Sequence, residues 1–193
     1  MFMTDYSAMK DGHAIHRFLT DVNRDWTMKV CIVGPSGAGK TTIAGELARK
    51  FNIATYEFDD VYWDKSGTEY VKNSDQSMAL AIEKISEQGS WLVEGAYDQR
   101  MYPLLAECSL ILRVEVSFSV RAMRLIKRFV WSTVTGTLPR ETFRNTVDLI
   151  RFSFHFDRRL SEFLSADAML SRKVASVRDT SSCIEAMRAA GLC

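Results

Sequence analysis

Gly34-Pro35-Ser36-Gly37-Ala38-Gly39-Lys40-Thr41-Thr42 decides how this sequence is read. The run satisfies G-x-x-x-x-G-K-[ST], and it stands between a β-rich apolar stretch, residues 29–33, and a helix-favouring one, residues 41–50. Such a loop wraps a phosphate with backbone N–H groups. Side chains at Gly34, Gly37 and Gly39 would obstruct that approach or the dihedrals it needs. The helix that follows directs its orphan N–H groups and positive dipole end at the same anion. Lys40 adds a mobile charge for the β- and γ-phosphates, and the Thr41 hydroxyl suits Mg²⁺. Gly34, Ser36, Gly37, Ala38, Gly39, Lys40, Thr41 and Thr42 are therefore the expected nucleotide-binding residues, and a nucleoside triphosphate the expected ligand. No guanine-recognition motif of the Asn/Thr-Lys-x-Asp type is present, which tilts the expectation to ATP.

Outward from the loop, strands alternate with helices. Residues 53–58, 91–93, 109–114 and 173–177 read as further strands; 75–88, 119–131 and 180–190 read as helices. This order predicts an α/β, three-layer fold with a five-stranded parallel sheet and helices on both faces. Residues 134–167 contain no strand pattern. Gly136 and Pro139 break the chain, and 142–163 reads as helix crowded with Phe143, Phe152, Phe154, Phe156 and Phe163. A helical insertion between the fourth and fifth strands follows, at about 129–167. Residues 1–27 form an N-terminal extension whose Ala14, Ile15, Phe18, Leu19 and Val22 recur at helical spacing. The main domain is then 28–193.

The chain has 193 residues, enough for one domain with a real core. With 25 Lys+Arg against 24 Asp+Glu, the net charge of +1 carries no global basic excess towards nucleic acid. Locally the balance differs. Between Arg113 and Arg159 ten Lys/Arg face only four acidic residues, an excess that suits a polyanion. No apolar run approaches the roughly 20 residues of a membrane span, so no membrane partner is expected. Cys31, Cys108, Cys183 and Cys193 form no C-x-x-C pair. They predict free thiols in a reducing compartment, the cytoplasm, and no zinc site.

Beyond the loop, four further places carry a resemblance: Phe58-Asp59-Asp60, Glu94-Gly95 after Trp91-Leu92-Val93, Arg124-Leu125-Ile126-Lys127-Arg128, and residues 173–178. Together with the loop, over about 28–190, they resemble the adenylate-kinase-like small kinases, which include shikimate and gluconate kinases. The pattern is most similar to the topology modulation protein group. The resemblance implies a phosphotransferase that moves the γ-phosphate of Mg-ATP to a small acceptor. By it, Asp59 and Asp60 face the acceptor, with Asp59 orienting or deprotonating its hydroxyl. Glu94 organises the waters around Mg²⁺, where the family has Asp. Tyr97 and Arg100 line the acceptor pocket, Arg124 and Arg128 close from a lid onto the transferring phosphoryl group, and Arg178 lies near the base. Arg121 falls on the same helix side as Arg124. The Asp-Gly-Phe-Pro-Arg run of adenylate kinases is replaced by Glu94-Gly95-Ala96-Tyr97-Asp98, which argues against a plain nucleoside monophosphate.

Two other readings stand beside this one. The loop would serve equally in an ATPase or nucleotide-sensing module, with the basic segment turned to a nucleic-acid or protein partner. A toxin-like kinase acting on a cell-wall sugar nucleotide shares the same motifs. The oligomeric state is left open, a homodimer included.

Overall fold

A computed structural model of the protein describes residues 27–64, 71–96, 99–136 and 142–193. The helix expected within 1–27 and the acceptor-site residue Tyr97 lie outside them. Five strands make one parallel sheet: β1 (Lys29–Val33), β2 (Ala54–Glu57), β5 (Trp91–Gly95), β6 (Leu110–Val114) and β7 (Val174–Val177). Their spatial order is β2-β5-β1-β6-β7, with β1 at the centre. Two two-residue strands, β3 (Trp63–Asp64) and β4 (Val71–Lys72), pair antiparallel beside it.

Alternation along the strands builds two cores. Cys31, Val33, Trp91, Val93 and Ile111 enter one; Val30, Ile32, Leu92, Leu110 and Leu112 enter the other. On the second face lie α1 (Lys40–Phe51), through Ile43, Ala44 and Leu47, and α8 (Thr180–Ala189), through Cys183 and Met187. The first face is covered by α2 (Phe58–Tyr62), α3 (Asp75–Ser86), α4 (Tyr102–Glu107) and α6 (Phe143–Ala166), the last supplying Phe156, Leu160 and Leu164. The short α7 (Ala168–Ser171) adds Leu170. This is the three-layer arrangement expected from the alternating pattern. Two short helices were not expected. Phe58–Tyr62 follows its strand without a break, and Tyr102–Glu107 is too short for a periodic signal.

The insertion is a helical hairpin of α5 (Phe118–Thr135) and α6. Gly136, at φ 64°, ends α5 in the left-handed region, and Thr142 caps α6 by accepting from Asn145 N–H. Residues 129–167 do not stand off the sheet as one body, because from Phe156 onward α6 is part of the core. Cys31, Cys108 and Cys183 are buried free thiols, and burial pushes Cys183 up to about 12. No helix among the described residues is long and apolar enough to cross a membrane.

Gly95 ends β5 where α2 crosses it, and a Cβ there would come within 2.8 Å of Phe58 Cβ. Phe58 is fully buried and cannot yield cheaply. Gly95→Ala should therefore cost about 1–3 kcal/mol in chemical denaturation, whereas Gly89→Ala, with nothing near its Cβ, should change stability by less than about 0.5 kcal/mol.

Candidate functional site

All five parallel strands end at the same edge of the sheet, and the phosphate loop leaves that edge from the central strand. Open parallel sheets bind ligands there. Gly37 and Gly39 take φ of 81° and 96°. Gly39 is the N-cap of α1 and brings no side chain, so the first-turn N–H groups find no side-chain acceptor. A cavity of about 430 Å³ opens in front of them, lined in part by Ser36, Gly37, Gly39, Lys40, Thr41 and Thr42. Gly34 and Ala38 do not line it. Gly34 is packed with its Cβ position 3.1 Å from Val114 O, and Ala38 is buried, its N–H donating to Pro35 O at 3.2 Å.

Two opposite charges lie inside the cavity, Lys40 half-buried and Glu94 buried. Lys40 Nζ donates to Pro35 O at 3.3 Å, and burial lowers its pKa against the pull of Glu94 and Asp59. The nearby Arg128 lowers it further. Glu94, at the end of β5, is 6% exposed and accepts a hydrogen bond from Thr41 Oγ1. Burial raises its pKa, while Lys40 and Thr41 oppose the rise. A hydroxyl and a carboxylate side by side are hard oxygen donors that fit Mg²⁺. No group of three or more His, Cys, Asp or Glu placed to hold a metal ion by itself occurs among the described residues. The donor set thus matches an ion carried mainly by phosphates and waters rather than a protein cage.

Asp59 sits in the first turn of α2 and lines the cavity with Glu57. The cap position of α2 is Glu57, so Asp59 is not a helix cap. Asp59 and Ala96 also line a second, open cavity of about 450 Å³, together with Phe58, Tyr62, Trp63, Gln99, Arg100, Phe152 and Arg159. Asp60, the next residue, lines neither. Arg100 belongs to this second cavity; its guanidinium lies 5.4 Å over the Tyr62 ring and its Nε 3.8 Å from Asp75 Oδ1.

From the hairpin, Arg124 and Arg128 reach the phosphate cavity. Arg124 Nη1 donates to Gly37 O at 3.2 Å and Ala38 O at 3.0 Å, hooking α5 onto the loop. Arg121 does not join them. It is 2% exposed and turned into the hairpin, where Nη2 meets Asp157 Oδ2 at 2.6 Å and Nη1 donates to Ser153 O at 3.1 Å. Two of the four acidic residues of the basic segment are thus paired within it, Asp157 with Arg121 and Glu115 with Arg113, while Arg158 pairs with Glu162 just beyond. Arg178 lines a third cavity with Arg124, Glu115 and Asp157, to the side of the loop. Residues that spacing alone did not single out are Glu57, Phe152 and Arg159. Glu57 carries a readable signal, a strand-end carboxylate next to Phe58-Asp59; the other two become neighbours only through packing of α6 over α2.

Solved structures with this architecture include the shikimate kinase from Acinetobacter baumannii in complex with shikimate. The two share 14% identity at a TM-score of 0.51, over 86% of this chain and 93% of that one. The shikimate kinase from Bacteroides thetaiotaomicron is 14% identical with a TM-score of 0.47, over 84% and 95%. At such identity the first likeness concerns the fold alone. The sequence itself matches the model of the NB-ARC domain over residues 9–107. That stretch contains the loop, α1, Asp59 and Glu94, and it exceeds half of the sequence; the chain belongs to the NB-ARC domain family of P-loop NTPases.

Proposed function

We propose that the protein is a phosphotransferase that moves the γ-phosphate of Mg-ATP to a hydroxyl of a small acceptor. One observation carries the reading: Asp59 lines both the phosphate-loop cavity and the second, aromatic-walled cavity. A carboxylate shared by a donor site and a neighbouring chamber is where a base for phosphoryl transfer belongs. An ATPase needs only the first cavity. In its finer placement we set the chain nearest the topology modulation group of adenylate-kinase-like kinases, on the five sequence places quoted above.

In this reading the nucleotide phosphates lie along Gly37, Gly39 and the start of α1, with Ser36, Lys40, Thr41 and Thr42 around them. Arg178 borders the base. Thr41 and Glu94 would hold Mg²⁺, which would supply neutralisation of the phosphate charge. Asp59 takes the proton of the acceptor hydroxyl as its oxygen attacks the γ-phosphorus, and the bond to the ADP oxygen breaks. Lys40, Arg124 and Arg128 stabilise charge on the transferring group. Arg100 borders the acceptor. The family match favours one alternative, a nucleotidase or nucleotide-sensing module with a protein or nucleic-acid partner. We place the protein in the cytoplasm, with no commitment on homodimer formation.

The discriminating experiment is ADP release with and without pooled acceptors. The phosphotransferase reading expects at least one acceptor to raise turnover about 100-fold. Lys40→Ala should abolish that stimulation, and Asp59→Asn should lower kcat by about 10²–10⁴ while leaving ATP binding intact. Unstimulated turnover at the full rate would sustain the nucleotidase instead.

Glu94 gives a second test, on the nucleotide-free protein. Burial raises its folded-state pKa, so the folded chain holds that proton more tightly than the unfolded chain. Stability from this group is present below the ordinary glutamate range and is lost as pH rises through the raised folded value. Glu94→Gln keeps an acceptor for Thr41 and cannot ionise. Its melting temperature should match the parent at acid pH and exceed it increasingly towards pH 8, by about 2–4 °C per kcal/mol relieved.

A further inference from the structure

We propose that the outer face of α5 is a homodimer interface, on which the same helix of a second copy of this chain lies antiparallel. The helix turns Arg121, Leu125 and Ser132 inward, towards α6 and the phosphate loop. On its opposite side it carries Val120, Met123, Ile126, Val130, Trp131 and Val134, exposed at 40, 70, 51, 51, 65 and 77%. No other described element exposes more than two large apolar side chains.

The spacing of these residues is that of a seam. Val120, Met123, Lys127, Val130 and Val134 follow one another in steps of three, four, three and four, the repeat by which one helix packs along another. Ile126 and Trp131 widen the stripe on its two sides. Single exposed apolar residues call for no explanation, whereas a continuous stripe over four turns marks a contact surface.

The extent of the stripe fits a second copy. At the exposures given it leaves on the order of 600 Å² of surface in water, the upper end of what a lone protein shows in one patch. A specific dimer takes about 800 Å² from each partner, so the stripe supplies most of one side and its polar rim the remainder. The chain's own residues 14–26 are badly placed to cover it. They lead directly into β1 at the edge of the sheet where that strand begins, while α5 meets the phosphate loop at the other edge.

Lys127 selects the orientation. In a parallel pair it would stand opposite its own copy, two ammonium groups in one seam. In an antiparallel pair, with a two-fold axis crossing α5 between Arg128 and Phe129, Lys127 of one protomer stands opposite Val130 of the other, and Met123 opposite Val134. The lysine stem then packs on valine while its charge reaches the rim. Arg124 and Arg128, beside the stripe, remain turned to the phosphate cavity.

The test is sedimentation velocity with light scattering on the full-length protein across about two decades of concentration, where a dimer shows a concentration-dependent mass. Val130→Lys sets two lysines against each other in both symmetric layers and should weaken dimerisation about 100-fold. Adding Lys127→Glu to it turns each clash into an ion pair and should return the dimer constant to within about tenfold of the parent. Leu80→Lys, at an equally exposed apolar residue of α3, should leave the dimer unchanged; circular dichroism and melting confirm that all three variants fold. A monomer at every concentration overturns the proposal, and co-sedimentation of that monomer with phosphatidylglycerol vesicles, lost in Val130→Lys, would give the face to a lipid surface instead. A dimer indifferent to Val130→Lys overturns it as well, and a loss that the charge swap does not rescue overturns the antiparallel pairing.

Discussion

The site depends on a guanidinium that never reaches the ligand. Arg121 is almost wholly buried, and a charge in that position is costly unless its donors are used. Asp157, on α6, takes one donor and the Ser153 carbonyl another, with the Phe118 ring beneath the cation; Nε finds no partner. This pairing binds α5 to α6 beside the phosphate loop. There the Arg121 carbonyl would stand 2.9 Å from any Cβ at Gly37, and Ser153 Oγ donates to Ser36 O at 3.4 Å. The hairpin and the loop thus fit each other only because residue 37 is glycine. Arg124 can hook the Gly37 and Ala38 carbonyls because Arg121, one turn earlier, fixes the helix above them.

Around this anchor the cavity holds charge that the empty fold would not choose. Desolvation moves Lys40 and Glu94 in opposite directions, each towards its neutral form, and their mutual attraction only partly opposes it. A polyphosphate and its cation would supply each with a fuller partner. Stability given up in the nucleotide-free state is then regained on binding, so ligand should tighten the whole central part of the sheet. Such stored strain is what a binding loop on the middle strand can transmit, since β1 touches both β5 and β6.

Much of this was readable without coordinates, and the remainder was unreadable for definite reasons. The loop is local chemistry, so nine consecutive residues declare it. That Asp59 and Glu94 share one edge of the sheet could be read from the sequence because parallel strands all end there, Glu94 near the end of β5 and Asp59 two residues past the end of β2. Arg121 was misjudged because helical spacing fixes an angle about the axis and not the depth of the neighbours. It lies about 60° from Arg124 and only about 20° from Arg128, and what sets it apart is that α6 packs over its turn of the helix, through Ser153 and Asp157. Arg159 and Phe152 had no signal, because they meet α2 across about ninety residues of chain, by packing that no short-range pattern encodes. That the later part of the insertion, from Phe156 onward, joins the core was hidden for a related reason: its Phe and Leu residues mark burial without saying against what.

The position of β1 has a consequence for synthesis. The strand that carries the phosphate loop is made early, but its partners are not: Lys29 aligns with Trp91 and Val30 with Leu110, roughly sixty and eighty residues later. Until β5 leaves the ribosome, Val30, Cys31, Ile32 and Val33 have no ladder on either side, and until β6 follows one side stays open. Non-local parallel pairing of this kind closes slowly. The nascent chain therefore carries an aggregation-prone strand while some eighty residues are added, and a pause or truncation before residue 110 would leave the strand that bears the nucleotide loop open along its β6 side.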